Sequence, residues 1–277
     1  MSPAAKNTSI IGDVIKNRRL VWELAKNDFK TKFAGSYLGI IWAFVQPIVT
    51  VFVYWFVFEK ALSAGTQSTK AGIEAPYVLW LVAGIVPWFY FSDSVSGGTS
   101  ALTAYDYLVK KVVFRIEILP VVKLISALFV HLFFVAFAIV MFLAYRFPIG
   151  PSLVQVIYYS ACTFILSAGI VYFTSALVVF FRDMSQIVNI VLQVMIWATP
   201  IMWNIDAMKG LNGVLGTILR ANPVYYISDG YRDAFINGVW FWEKPVETAT
   251  FWIITILIAL IGGLIFKRLR PHFADVL

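Results

Sequence analysis

The chain has 277 residues, of which 60% are hydrophobic, 17% aromatic and only 13% charged, with a formal net charge of +7 at neutral pH. Together with a mean hydropathy of +0.81, this excludes an ordinary soluble globular domain, and the lone Cys162 excludes a disulfide framework or a thiol metal site. The basic excess requires no nucleic-acid partner, since a protein whose cytoplasmic edge meets anionic lipid is expected to carry it.

Six stretches carry no charge, 33–58, 75–92, 124–145, 147–181, 184–205 and 248–266. Each is close to or above the roughly 20 residues that cross a hydrocarbon core of ~30 Å. The expected fold is therefore an all-α membrane protein with six transmembrane helices. Fifteen of the 22 Lys and Arg residues fall in the two tails and the second and fourth loops, whereas the acids other than Asp93 divide evenly. Orientation follows Lys and Arg, so both termini are expected in the cytoplasm. Residues 1–33 then form a cytoplasmic tail, 34–267 the transmembrane domain and 268–277 a second cytoplasmic tail. No short apolar run with a cleavage pattern opens the chain, so the first span is expected to direct insertion.

In chain order, the first element is an amphipathic helix over 10–33. Ile11, Val14, Ile15, Leu20, Val21, Leu24, Ala25 and Phe29 recur every three to four residues, with Lys16, Arg18, Arg19, Lys26, Lys30 and Lys32 between them. This pattern reads as a helix lying in the cytoplasmic membrane interface, with packing on a partner subunit the lesser and not exclusive alternative. After the second stretch comes Asp93, an acid at span depth, where ionisable groups are costly and tend to face protein or water. It lines a route, holds helices together, or lies wetted just beyond the end of the span. Segment 104–123 mixes Tyr105, Tyr107, Leu108 and Ile116 with Asp106, Lys110, Lys111, Arg115 and Glu117. So apolar a face on so short a segment suits contact with a cytoplasmic protein, or with lipid.

Pro148, Gly150 and Pro151 punctuate the start of the fourth stretch, which leaves room for one long helix rather than two. The amides Gln46, Gln186, Asn189 and Gln193 serve either helix packing or ligand contact. Stretch 206–247 is too long for a tight turn and is read as short helices dipping back into the outer leaflet. Within it Asp229 and Asp233 stand four apart, but no histidine or nucleophile accompanies them and acid–base catalysis is not expected. His131 and His272 are too few and too distant for a metal cluster.

Several motifs resemble one family. AGIVPWFYFSDSV at 83–95, LVKKVVFRIEILP at 108–120, FFRDMSQIV at 180–188, ATPIMWN at 198–204 and NPVYYISDGYRDAF at 222–235 occur in the order seen in permease subunits of bacterial ABC exporters of polysaccharide, with LGIIWAFVQPI at 38–48 adding to the match. Such permeases commonly carry Phe-Pro where this chain has Phe114-Arg115. The resemblance implies a homodimer in the bacterial cytoplasmic membrane, joined to two cytoplasmic ATPase subunits, that moves a lipid-linked glycan such as O-antigen, capsule or teichoic acid outward. No Gly-x-x-x-x-Gly-Lys-Ser/Thr phosphate cradle is present, so ATP and Mg are expected on the partner and no cofactor on this chain.

By the same resemblance 105–117 is a first coupling helix and 182–185 part of a second contact, with Tyr105, Lys110, Lys111, Arg115, Glu117, Arg182 and Asp183 as coupling residues. Aromatic faces suit sugar, which makes Trp42, Phe44, Tyr54, Trp55, Trp88, Phe89, Tyr90, Trp197 and Trp203, with Asp93, candidates for the passage, although aromatics near span ends also anchor helices in lipid. Asn222, Pro223, Tyr226, Asp229, Arg232 and Asp233 are candidates for an external gate. A membrane glycosyl- or acyltransferase should show an Asp-x-Asp metal pair or a His/Asp constellation, and an ion-coupled flippase more ionisable groups within its spans.

Overall fold

The computed structural model describes residues 10–32, 35–61, 63, 65–68, 72, 74–109, 115–205 and 213–277. These residues are almost entirely helical, apart from one antiparallel pair, β1 (Gln67–Ser68) and β2 (Glu74–Ala75).

The amphipathic region forms two helices, α1 (Ile10–Lys16) and α2 (Arg18–Thr31), rather than one. In α2 the positions Val21, Ala25 and Asp28 share a buried face. That face packs on α7 (Ile118–Ala144), with Trp22 and Phe29 both meeting Phe129 at ring distances of 5.3 and 5.6 Å.

Five helical stretches among the described residues are long and apolar enough to cross a membrane: Gly39–Ala61, Tyr77–Thr99, Ile118–Ala144, Pro151–Val178 and Pro245–His272. The first contains α3 (Trp42–Trp55) between a tight turn at Gly39–Ile41 and a widened one at Phe56–Ala61. The second is α4, the fourth holds α8 (Gln155–Val178), and the fifth holds α12 (Pro245–Leu269). Their surroundings differ sharply. In α4 83% of the most apolar stretch is buried, against 11% in the α3 stretch and 22% in the α12 stretch, so α4 is the central helix and the others present apolar faces outward.

Several spans run past their uncharged stretches, and in α4 and α7 the charge taken in is met from another helix. Helix α4 runs through Asp93 to Thr99, because Lys32 at the end of α2 meets the Asp93 carboxylate at 2.5 Å. Helix α7 begins at Ile118, before Lys123, whose ammonium lies 2.5 Å from Asp28. A charge inside each helix is thus neutralised from a third helix. The fourth stretch is a single helix that opens at Pro151.

The uncharged stretch 184–205 behaves otherwise. Its helix, α9 (Met184–Ala198), has 15 residues, about 22 Å at 1.5 Å per residue, and falls short of a full crossing. Pro200 explains the early end: it disfavours helical geometry at the preceding residue, and Thr199 is extended (φ −82°, ψ 133°). The shorter helices are α5 (Ala101–Ala104), α6 (Asp106–Val109), α10 (Val214–Arg220), α11 (Pro223–Arg232) and α13 (Phe273–Val276). Helix α11 starts on a complete signal, with the Asn222 side chain accepting from the Val224 N–H at 3.0 Å and Pro223 in the first turn. It is buried among α4, α8 and α12.

Helices α8 and α12 cross where both backbones lack a side chain. A Cβ at Gly169 would lie 2.9 Å from the Ala259 nitrogen, and one at Gly262 would strike the Gly169 carbonyl oxygen. Small residues at such a crossing allow the backbones to approach. Gly262→Val is expected to destabilise the detergent-solubilised protein by about 1–3 kcal/mol, read as a lower unfolding midpoint; an unchanged midpoint would show that the crossing opens freely.

Candidate functional site at the two ends of the bundle

One end of the bundle gathers α1, α2, α5, α6, α13 and the turn between α8 and α9. Asp28 is the centre of a polar cluster there. Its Oδ1 accepts from the Tyr105 hydroxyl at 2.8 Å and from Lys123 Nζ at 2.5 Å, and the same ammonium lies 5.2 Å from the Tyr105 ring centroid. Burial, then the hydrogen bond to Asp28, raise the Tyr105 phenol well above its ordinary value, so it acts as a fixed donor. Arg115 pairs with the buried Asp13 at 3.8 Å. Glu117 is buried and pairs with Arg270, while its carbonyl accepts from the Tyr172 hydroxyl at 2.8 Å. Lys110 and Lys111 lie outside the described residues. Arg182 and Asp183 are exposed in the α8–α9 turn, and that turn is on the same end, since Phe180 meets Phe273 at 6.0 Å. Tyr107, on α6, is also exposed.

The structure divides the aromatic candidates. Trp88 and Tyr90 are core residues of α4, Trp88 against Phe91 at 5.8 Å and Tyr90 stacked on His131 at 4.6 Å. Phe89 is half-buried, edge-on to Phe134, and Phe44 tilts against Phe133 at 4.2 Å. Trp42 and Trp197 are exposed. Tyr54 reaches Trp197 at 6.3 Å, Trp203 donates its indole N–H to the Trp197 carbonyl at 3.0 Å, and Trp55 packs on Phe52. Tyr54, Trp197 and Trp203 thus form one aromatic strip along α3 and α9. Asp93 is half-buried and paired with Lys32, at the edge where α2 ends.

At the opposite end α11 is fastened on every side. Arg232, 3% exposed, donates to the carbonyls of Pro200 at 3.0 Å and Ile201 at 2.5 Å and, more weakly, Trp80 at 3.4 Å, and its guanidinium lies 3.5 Å from the Trp80 ring centroid. Burial lowers its pKa to about 10, which leaves it charged at neutral pH. The Tyr226 hydroxyl bonds Thr248 at 2.9 Å and Tyr158 at 3.2 Å. Tyr231 bonds His131 at 2.9 Å and Ser160 at 2.7 Å. Lys244, just ahead of α12, donates to Asp229 at 3.0 Å and also to Asp233. Burial, then the neighbouring Asp229 charge, push the Asp233 carboxyl up to about 6. Burial alone would lower the Lys244 ammonium, but Asp229 and Asp233 outweigh it and hold it above its ordinary value. A cavity of about 30 Å³ opens here, lined by Arg220, Asp229, Asp233, Lys244 and Glu247 with three tyrosines. That suits a water or two rather than a sugar. Among the described residues no cluster of three or more His, Cys, Asp or Glu side chains is placed to hold a metal.

Against known proteins, the family model for ABC-2 type transporters matches residues 19–236. The chain belongs to the ABC-2 type transporter membrane family. Membership makes it a multi-pass transporter permease rather than an enzyme, and implies association with an ABC ATPase. The chain is 25% identical over 261 residues to the O-antigen export system permease protein RfbA of Klebsiella pneumoniae, covering 92% of this chain and 93% of that protein. It is 24% identical over 275 residues to the protein of the same name from Myxococcus xanthus, covering 96% and 98%.

Asp28, Lys123, Lys244 and Arg270 are site residues that sequence reasoning passed over. For Asp28 a signal existed: it occupies the seventh position after Val21 and the third after Ala25, where the period calls for an apolar residue. Lys123, Lys244 and Arg270 look like ordinary flanking charges until their distant partners are known.

Proposed function

We propose that this ABC-2 permease is the membrane subunit of an ATP-driven exporter that moves a lipid-linked polysaccharide outward across the cytoplasmic membrane. It works as a homodimer with two separate ATPase subunits. The observation that carries this reading is the end-to-end similarity to permeases named for O-antigen export. Each subunit crosses six times, with α9 and the segment after it as the shorter crossing, and both termini are cytoplasmic, as the Lys and Arg distribution favours. The end holding α2, α5, α6 and α13 then faces the ATPase.

On this reading 105–117, with Lys110 and Lys111, and the exposed Arg182–Asp183 turn receive the ATPase. Closure of the ATPase pair on nucleotide presses these segments and shifts the helices between inward- and outward-facing packings, which requires contacts that differ between the two states. The strip of Tyr54, Trp197 and Trp203 offers faces to a passing glycan, and α11 closes the far end.

Reconstituted permease is expected to show ATP hydrolysis only when its ATPase partner is added, and cells depleted of the chain to accumulate lipid-linked polysaccharide on the inner leaflet. Hydrolysis or export by the permease without any partner would refute the proposal.

A further inference from the structure

Two segments of the cytoplasmic-facing end are proposed above to receive the ATPase, and they are far apart in sequence, 105–117 and the turn at 182–185. The chain joins them through a third element. Arg270, the first residue beyond α12, pairs with Glu117 at the end of the first segment. Three residues later Phe273 is fully buried between Phe266, at 5.5 Å, and Phe180, at 6.0 Å, two residues ahead of the second segment. The intervening turn, Arg270–His272, is a tight helical one that fixes the spacing of these two side chains.

The Glu117 end is itself rigid. Its side chain is 3% exposed, with one carboxylate oxygen on Arg270 and the other buried without a hydrogen-bond partner, and its carbonyl is held by Tyr172 of α8. A buried carboxylate with a single cation depends strongly on that cation. Arg270 is therefore the group that keeps Glu117 seated, whereas Arg268, two residues earlier, is exposed on α12 and has no ion pair among the described residues.

We propose that the C-terminal turn is a cross-tie between the two ATPase-receiving segments, and that Arg270 and Phe273 are positioning residues that make α7, α8, α9 and α12 respond together to one push. The proposal rests on the coupling reading of 105–117 and 182–185. Without the tie, each segment yields on its own and hydrolysis is spent without moving the glycan.

The test has two arms. In the purified permease alone, Arg270→Gln and Phe273→Ala are each expected to speed amide hydrogen exchange in both 115–118 and 180–185, segments at opposite ends of the tie, while Arg268→Gln leaves both as in the wild type. Exchange that rises at only one segment, or equally in the Arg268 variant, would overturn the cross-tie whether or not a partner exists. In the complex with its ATPase, polysaccharide on the surface of intact cells relative to hydrolysis by the purified complex is expected to fall roughly tenfold for Arg270→Gln, with Arg270→Lys recovering part of it. A wild-type ratio in Arg270→Gln would overturn the positioning role, and loss of the ATPase on co-purification would make Arg270 a direct partner contact instead. Should Arg270→Gln not fold, Glu117→Gln, which leaves no buried charge behind, carries the same expectations. If the exchange results hold while the wild-type permease never supports partner-dependent hydrolysis, the functional reading fails and the tie stands as a structural feature.

Discussion

Replacing Arg232 by Met is expected to remove about 3–5 kcal/mol of stability, because buried carbonyls that lose a charged donor cost roughly 1–3 kcal/mol each. Two of those carbonyls, on Pro200 and Ile201, exist as free acceptors only because Pro200 ends α9. Arg232 thus holds the turn that follows the break in α9, and in the same stroke ties that turn to α11 and α4. The guanidinium also covers the Trp80 ring, a contact that adds further attraction in a desolvated site. The space for it is made by Gly84, where a Cβ would lie 2.5 Å from the Arg232 Nη2. Lys is a poor substitute, since an ammonium can neither stack flat nor reach separate carbonyls at once. The order of thermal midpoints in detergent or nanodiscs should therefore be wild type, Arg232→Lys, Arg232→Met. A Met variant that melts with the wild type would show that the carbonyls find other donors and that α11 is not held by this residue.

How far such features can be read without coordinates depends on the distance over which they are specified. The long helices α3, α4, α7, α8 and α12 follow from local composition, and the single α8 follows from Pro151 at its start. Their ends do not, because a rule that stops a span at the first charge cannot know that Lys32 reaches Asp93 or that Asp28 reaches Lys123. Helix α9 fails in the opposite sense: 184–205 carries no charge, yet the conformational limit imposed by Pro200 outweighs hydropathy.

The aromatic candidates show the same limit. Trp88, Phe89 and Tyr90 are consecutive and chemically alike, but a helix sends neighbours about 100° apart, so two of them enter the core and one stays half-buried against Phe134. Among the charged groups, Asp28 and Glu117 serve the interior of the chain, whereas Arg182 and Asp183 are left outward. An acid on a buried helical face announces a partner, but only the fold says which cation supplies it.

Lys244→Met is expected to be as damaging as the loss of Arg232, on the order of 3–5 kcal/mol at neutral pH, and to differ from it in pH dependence. The lysine stands between Asp229 and Asp233, and its removal leaves two carboxylates facing each other beside a cavity of about 30 Å³. Asp233 already has its pKa raised from 3.8 to about 6, by burial and then by Asp229, against the pull of Lys244. A carboxyl with a raised folded pKa binds more protons in the folded state, so its ionisation penalty is absent below about pH 4, grows as pH rises through 3.8 to about 6, and is complete above that. In the wild type this penalty is what remains after the attraction of Lys244, whose own raised pKa keeps it charged until well above the ordinary lysine range. Without it the Asp233 pKa moves higher still, and the window in which stability falls extends towards neutrality. The deficit of Lys244→Met relative to wild type should consequently be small at pH 4.5 and large at pH 8, and Asp233→Asn in the same chain should recover much of it by removing one of the facing charges. Equal deficits at the two pH values would mean that Lys244 acts through packing alone. A deficit that grows on acidification would reverse the sign argued here and rule out the paired carboxylates as its cause.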